Sequence, residues 1–251
     1  MFCRCVNTVQ TRTRLARWTA HSLRWRATMT DEVAKLRVQY SNTPLTEEEA
    51  RAAGSPMHLF QKWFDEAIRV KSYEPNAMTL ATATPDGVPA ARMVLLKGLD
   101  LERATFTWYT NYESRKAQEL DRNPRAALVF WWPELERSVR VEGSVERLST
   151  ADSDAYFASR PLGSRLGAWA SAQSRPITSR EALERQAAQV EERFANGEVP
   201  RPPHWGGYRL HALRLEFWKG RANRLHDRLL FERDSKSSDH DMQWRMTRLQ
   251  P

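Results

Sequence analysis

Between Trp218 and Arg228 the chain reads Trp218-Lys219-Gly220-Arg221-Ala222-Asn223-Arg224-Leu225-His226-Asp227-Arg228, an indole, a run of cations, a histidine and an aspartate in one short stretch. Arginine is always charged and offers a planar fork of donors, so Arg224 and Arg228 suit a phosphate or an electron-rich ring. His226 adds a group able to move a proton near neutrality. Alone, an Arg-x-His stretch equally describes a solvated basic turn, so its weight depends on what accompanies it.

Three other stretches accompany it. In Arg92-Met93-Val94-Leu95-Leu96-Lys97 two cations flank an apolar strand, and their odd spacing predicts opposite faces, one for each of two anions; alone they also read as surface cations at strand ends. In Thr110-Asn111-Tyr112-Glu113-Ser114-Arg115-Lys116, Ser114 reads as a helix N-cap with Arg115 and Lys116 in the first turn. Cations there oppose the helix dipole by roughly 0.3–1 kcal/mol each, a sign that an anion on the exposed N–H groups would reverse. In Tyr156-Phe157-Ala158-Ser159-Arg160-Pro161-Leu162-Gly163-Ser164, Tyr156 and Arg160 share a helix face and Ser164 follows in a predicted loop. Two phosphate-type sites and one Arg-x-His loop suggest a phosphorylated cofactor and a phosphorylated substrate.

The elements that must position these residues follow from periodicity. Leu59, Phe60, Trp63, Phe64, Ala67 and Ile68 repeat at helical spacing after Pro56. From Ala77 the period becomes two: a strand to Ala83, a turn at Asp86-Gly87 and a second strand from Val88 to Lys97 form a predicted hairpin. Ala104–Thr110 and Ala126–Trp132 read as a second hairpin-like pair separated by a helix from Ser114 to about Asp121. Ser138–Leu148, Gly207–Trp218, Leu229–Phe231 and Gln243–Leu249 complete about eight strands. Helices are predicted over Glu47–Ala53, Thr150–Ser159 and Ser179–Ala195, the last opening with a Thr178-x-x-Glu181 capping box. The economical architecture is a mainly β fold, an antiparallel barrel with peripheral helices.

Composition bounds the function. The 251 residues are 41% hydrophobic with ten tryptophans, enough for a real core. No run approaches the length of a membrane-spanning helix, so no membrane partner is expected. The net charge of +8 is concentrated in the tail, where Arg4, Arg12, Arg14, Arg17, Arg24 and Arg26 occur with no acid before Asp31. The remaining body is mildly basic, which favours local anion sites over a nucleic-acid footprint. Cys3 and Cys5 also lie in the tail, leaving the body without a disulfide framework or cysteine metal site and pointing to a reducing, cytoplasmic setting. Residues 1–28 read either as an organellar targeting segment or as sequence preceding a start at Met29, and residues 29–55 as a flexible arm to a domain over 56–251. No His-Glu-x-x-His, Gly-rich nucleotide loop or nucleophile elbow occurs, and no metal is expected.

Taken together, Arg92-Met-Val-Leu-Leu-Lys97, Thr110-Asn-Tyr-Glu-Ser-Arg-Lys116, Arg140-Val-Glu-Gly143, Tyr156-Phe-x-Ser-Arg-Pro161, Trp205-Gly-Gly-Tyr208, Glu216-Phe-Trp218 and Asn223-Arg-Leu-His-Asp-Arg228 closely resemble the pyridoxine 5′-phosphate oxidase family, in order from about Pro56 to the C-terminus. The resemblance implies a homodimer of FMN-binding split barrels with flavin at the subunit interface. Carried over by position, Arg92, Met93, Val94, Leu95, Tyr109, Thr110, Arg115, Lys116, Gln173, Ser174, Trp218 and Arg228 would contact FMN. Lys97, Tyr156, Arg160 and Ser164 would hold the substrate phosphate. Arg224, Leu225 and His226 would lie over the pyridine ring, with Arg224 and His226 as the catalytic pair. The implied reaction moves a hydride from C4′ of pyridoxine or pyridoxamine 5′-phosphate to N5 of FMN, and O2 then accepts the electrons to give H2O2. The alternative is a split-barrel protein that binds FMN or a B6 vitamer without turnover, because binding residues do not by themselves establish chemistry.

One position departs from the family pattern: Ser138 stands where a glutamine usually contacts the flavin, and its shorter side chain cannot span the same gap. From the acid-free, aperiodic tail, deletion of residues 1–28 is expected to leave flavin content and turnover unchanged. Absorbance of the purified truncated protein and its oxidase rate check this, and loss of flavin would contradict it.

Overall fold

The computed structural model describes residues 32–40, 43–234 and 243–251. The chain divides into two compact units, Met1–Tyr40 and Ser41–Pro251. In the first, the described residues hold one helical turn at 32–35. The predicted tail over 1–28 and the segment Lys236–Asp241, for which the family resemblance offers no counterpart, lie outside the described residues.

The second unit runs α1 (Glu47–Ala52), α2 (Pro56–Arg69), β1 (Ala77–Ala83), β2 (Pro89–Leu95), β3 (Gly98–Asp100), β4 (Thr105–Asn111), α3 (Arg115–Arg122), β5 (Arg125–Trp132), β6 (Arg137–Arg147), α4 (Thr150–Ala158), α5 (Leu162–Ala170), α6 (Arg180–Arg193), β7 (Trp205–Lys219), β8 (Asp227–Arg233) and β9 (Trp244–Leu249). The strands form one antiparallel sheet in the order β2-β1-β5-β6-β7-β4-β3, with β8 on β7 and β9 on β8. The ends of that path, β2 and β3, are separated only by Leu96 and Lys97, so the sheet must curl until its edges meet. The Lys97 N–H completes the seam by donating to the Thr107 carbonyl at 2.8 Å.

Local chemistry explains the main elements. The β1–β2 turn holds Gly87 at φ 88°, the left-handed conformation for which glycine suits the Asp-Gly turn. At α2 the Ser55 hydroxyl accepts from the His58 N–H and Pro56 occupies the first turn. Met57, Leu59, Phe60, Trp63 and Ala67 are buried, whereas Ile68, expected on the same face, is exposed near the helix end. Phe60 sits 5.0 Å from both Phe106 and Phe130, edge to face, so the helix plugs the barrel with aromatic rings. Full burial of one such side chain stabilises by about 1.5–3 kcal/mol.

The structure corrects several expectations. The two strands read as a second hairpin-like pair do not pair: β4 lies between β3 and β7, and β5 between β1 and β6. The short strand β3 is additional. Ser164 lies in helix α5 rather than a loop. The N-cap of α6 is Ser179, whose hydroxyl accepts from the Ala182 N–H, not Thr178. From Leu45 onward the stretch read as an arm is packed: Leu45 and Ala50 join the main core, and Arg248 on β9 pairs with Glu47.

A bulge lies where β6 crosses β7 at Glu142/Gly143. A Cβ at Gly143 would stand 2.0 Å from the His211 carbonyl oxygen, a backbone atom with no room to yield. Gly143→Ala is therefore expected to destabilise by about 1–3 kcal/mol or more, read as a lower urea midpoint. An unchanged midpoint would contradict this packing.

Candidate functional site

A cavity of about 740 Å³ opens beside β2, the end of β4, the start of α3 and the α4–α5 junction. It brings together Arg92, Met93, Val94, Leu95, Tyr109, Thr110, Arg115, Lys116, Gln173 and Ser174 with Lys97, Tyr156, Arg160 and Ser164. Arg92 and Lys97 both line this one cavity, as do the consecutive residues Ala90 to Leu95 of β2, so the cavity wraps around the strand and takes residues from both of its faces.

At one end, buried Glu119 organises the cations. Its carboxylate pairs with Arg92 at 3.1 Å and Arg115 at 2.9 Å and accepts the Thr82 hydroxyl. Burial pushes its pKa up, but hydrogen bonds from Thr82, Arg115 and Arg92 together outweigh it and hold the pKa below the usual carboxylate range. Lys116 is buried beside this group, its ammonium 3.0 Å from the Thr110 and Ser114 hydroxyls and 2.5 Å from Gln173 Oε1. Burial, reinforced by Arg92 and opposed by Glu119, lowers its pKa to about 8. Ser114 occupies the predicted N-cap, but its hydroxyl donates to the Asn111 carbonyl at 2.7 Å and no side chain caps α3. An uncapped helix start, a buried ammonium and the exposed Arg115 guanidinium form a donor set that fits a phosphate.

At the other end the walls are aromatic. Tyr109 and Tyr156 stack with centroids 3.8 Å apart, and Tyr109 stacks on Trp205 at 5.4 Å. The Arg160 guanidinium lies 4.5 Å from the Trp205 ring, with Nη1 buried and without a hydrogen-bond partner. Burial raises the Tyr156 pKa, keeping the phenol a neutral hydrogen-bond donor, and lowers that of Arg160, a cost that an anion beside the guanidinium would relieve. Ala90, Ala91, Pro161 and Trp205 also line the cavity and were not predicted for it. Trp205 stood in the Trp-Gly-Gly-Tyr motif, so its signal was present; nothing in their residue type marked the alanines.

The remaining predicted residues, Trp218, Arg224, Leu225, His226 and Arg228, do not line this cavity. Met93, Thr79, Val129, Arg140 and Glu216 stand in register across β2, β1, β5, β6 and β7. Glu216, two residues before Trp218, is thus four strand spacings from Met93, roughly 19 Å along the sheet. This second group has its own order. The His226 ring lies 4.6 Å from the Trp218 ring, and its Nδ1 accepts the Arg221 N–H at 3.1 Å. The neutral imidazole therefore carries its proton on Nε2. Burial first, then the charge of Arg224, lowers the His226 pKa against the pull of Asp227, so the ring is neutral at pH 7. Arg228 pairs with Glu216 at 2.7 Å, and Arg224 and Leu225 are exposed. Ser138, read as a shortened flavin contact, donates its hydroxyl to the Phe130 carbonyl at 2.9 Å.

Among solved structures, PhzG from Burkholderia lata 383, crystallised with tetrahydrophenazine-1-carboxylic acid, superposes with a TM-score of 0.73 at 32% identity, covering 84% of this chain and all of that one. A pyridoxamine 5′-phosphate oxidase-related, FMN-binding protein from Nostoc punctiforme shares the fold at a TM-score of 0.62 and 18% identity, over 78% of this chain and 98% of that one. The curled barrel is an FMN-binding split barrel, and FMN is its cofactor. In sequence, residues 64–194 match the pyridoxamine 5′-phosphate oxidase family model and residues 205–251 the pyridoxine 5′-phosphate oxidase C-terminal dimerisation region. Pyridoxine/pyridoxamine 5′-phosphate oxidases from Rubrobacter xylanophilus and a Cyanothece species are 57% and 54% identical over 88% and 89% of this chain, spanning 97% and 100% of theirs. The chain belongs to the pyridoxine/pyridoxamine 5′-phosphate oxidase family, an oxidoreductase family.

Lys116 gives a pH-dependent expectation. Its pKa is depressed in the folded protein, so between about 8 and the unfolded value of 10.5 the unfolded chain binds more protons. The cost of burying the ammonium is present in full below pH 8 and is relieved as pH rises through that window. A phosphate beside Lys116 restores the proton, so anion binding to flavin-free protein is expected to take up protons and weaken above pH 8. Calorimetry in buffers of different ionisation enthalpy checks this, and no proton uptake at pH 9 would contradict it.

Proposed function

We propose that this protein oxidises pyridoxine 5′-phosphate and pyridoxamine 5′-phosphate to pyridoxal 5′-phosphate, using FMN and O2 and releasing H2O2. The observation that carries the reading is one cavity with two separate anion-binding ends: the Arg115–Lys116 cluster on α3, and Lys97, Tyr156, Arg160 and Ser164. The first suits the phosphate of FMN, with Arg92, Met93, Val94, Leu95, Tyr109, Thr110, Gln173 and Ser174 along the cofactor. The second suits the phosphate of the substrate. Its set of cations and hydroxyls favours a phosphorylated substrate over one such as the tetrahydrophenazine carboxylate bound by PhzG, which bears no phosphate.

The site is completed by a second copy of the chain. Trp218, Arg224, Leu225, His226 and Arg228 stand apart from the cavity, and all fall within the matched dimerisation region. Trp131, edge-on to Trp218 at 5.9 Å, and Leu225 are exposed apolar side chains in this region, which suits cover by a partner. In this homodimer Trp218 and Arg228 of one copy cover the flavin held by the other, and Arg224, Leu225 and His226 close over the substrate ring. The catalytic domain is assigned to residues 56–251, with the packed stretch from Leu45 as its extension. A reducing compartment, the cytoplasm, suits a body whose sequence lacks cysteine.

When bound, FMN supplies the redox chemistry, taking a hydride from the substrate and passing electrons to O2. The chain's own residues place and polarise. Lys97, Tyr156, Arg160 and Ser164 fix the phosphate, and Arg224 holds the pyridine ring with its planar cation. His226, neutral with its proton on Nε2, donates a hydrogen bond to the substrate and positions the ring. That tautomer disfavours a role as the base that removes the hydroxyl proton.

Losing one charge-assisted contact costs about 1.5–3 kcal/mol, or roughly one to two powers of ten in rate. Arg224→Ala is expected to lower kcat/KM at least about tenfold with FMN retained, and His226→Asn to be milder. The direct test is anaerobic addition of pyridoxine 5′-phosphate to yellow holoprotein, which should bleach the flavin. Binding without bleaching would favour the non-catalytic alternative, and native reduction rates in Arg224→Ala would remove the loop from the mechanism.

A further inference from the structure

The loop that carries Arg224 and His226 is held in a conformation its sequence does not favour. Asn223 and Arg224 have φ of 56° and 65°, left-handed values that asparagine tolerates but that a long side chain such as that of Arg224 rarely adopts. Something outside the loop must fix it, and the contacts converge on Asp227. Its Oδ2 accepts from Arg221 Nη1 at 2.9 Å, closing the loop from one end to the other, and from the Leu45 N–H at 3.1 Å. Its Oδ1 accepts from Arg248 Nη1 at 2.8 Å. Arg248 in turn grips Glu47 through Nε at 2.5 Å and Nη2 at 2.8 Å and donates to the Leu45 carbonyl at 2.9 Å.

We propose that Asp227 is a positioning residue for substrate oxidation: one carboxylate ties the Arg221–His226 loop to the stretch before α1 and to the last strand, and so sets where Arg224 and His226 stand. The inference rests on the proposed role of that loop. The link to His226 is direct, since the Arg221 whose side chain pairs with Asp227 also donates its backbone N–H to His226 Nδ1. A charged carboxylate suits the position because both oxygens accept. In an asparagine, one would become an NH2 facing donors from Arg221 and Leu45 or from Arg248. Arg248 and Glu47 act one step further out, holding the carboxylate in place.

The test uses the FMN-loaded enzyme with three variants: Asp227→Asn, Arg221→Met, and Asp227→Asn combined with Arg224→Ala. The first two are expected to lower kcat about fivefold or more while KM for pyridoxine 5′-phosphate stays within about twofold, because the phosphate anchor lies elsewhere and misplacement harms the reaction step. In the Arg224→Ala background, Asp227→Asn should cost much less than it does alone, since both changes act through one loop. Arg221→Met removes the loop-closing pair but leaves Asp227 tied to Leu45 and Arg248, so it reports on positioning even if Asp227→Asn folds poorly. Native kcat in Arg221→Met, or an equal loss from Asp227→Asn in both backgrounds, would overturn the proposal. Native flavin-reduction rates in Arg224→Ala alone would instead overturn the reading of the loop beneath it.

Discussion

The pairing of β7 constrains everything else. This strand of 15 residues pairs with β4 along its first half, β8 along its second and β6 over most of its length. Trp205 opens the strand against the aromatic wall of the cavity, while Trp218 stands beside its other end, next to His226. At a rise of about 3.3 Å per residue, the two indoles are separated by roughly 40 Å of strand. A rigid, doubly paired strand cannot bring its ends together, so the residues around Trp205 and those around Trp218 stand at separate places on one copy, which is what the proposed shared site requires.

Charge is distributed to match. Glu119 orients both Arg92 and Arg115, and Glu216 both Arg140 and Arg228, so each carboxylate holds two guanidinium groups in place and offsets only one of their two charges. Lys116 and Arg160 differ. Lys116 is solvated by hydroxyls and an amide oxygen, and Arg160 leaves Nη1 without a partner above an aromatic face. Their pKa values fall because burial penalises their charge, which is the condition an incoming phosphate reverses. Preparing a site this way costs stability in the ligand-free protein and returns it as affinity.

Much of this was legible in the residues. The Asp86-Gly87 turn announced the β1–β2 hairpin, apolar spacing announced α2, and the anion-binding stretches supplied most of the cavity wall. What escaped has physical causes. The β4–β7 ladder joins residues about a hundred positions apart, and no local period encodes such a partner. Helix α5 contains Gly163 and Gly167, whose weak helical preference disguised it. Asp227 looked like one more charge in a basic loop, and only folding brought Leu45 and Arg248 to its two oxygens.

Whether the active site is shared between copies can be measured by subunit complementation. Lys97→Ala alters the cavity group and Arg224→Ala the loop group; each homodimer should be nearly inactive. Mixed dimers, isolated with two different tags after co-expression, have one site carrying both changes and one carrying neither if the groups come from different copies. A shared site therefore predicts recovery of about half the native rate per mixed dimer. Mixed dimers no more active than the two parent variants would mean that each chain builds its own site, contradicting the composite arrangement.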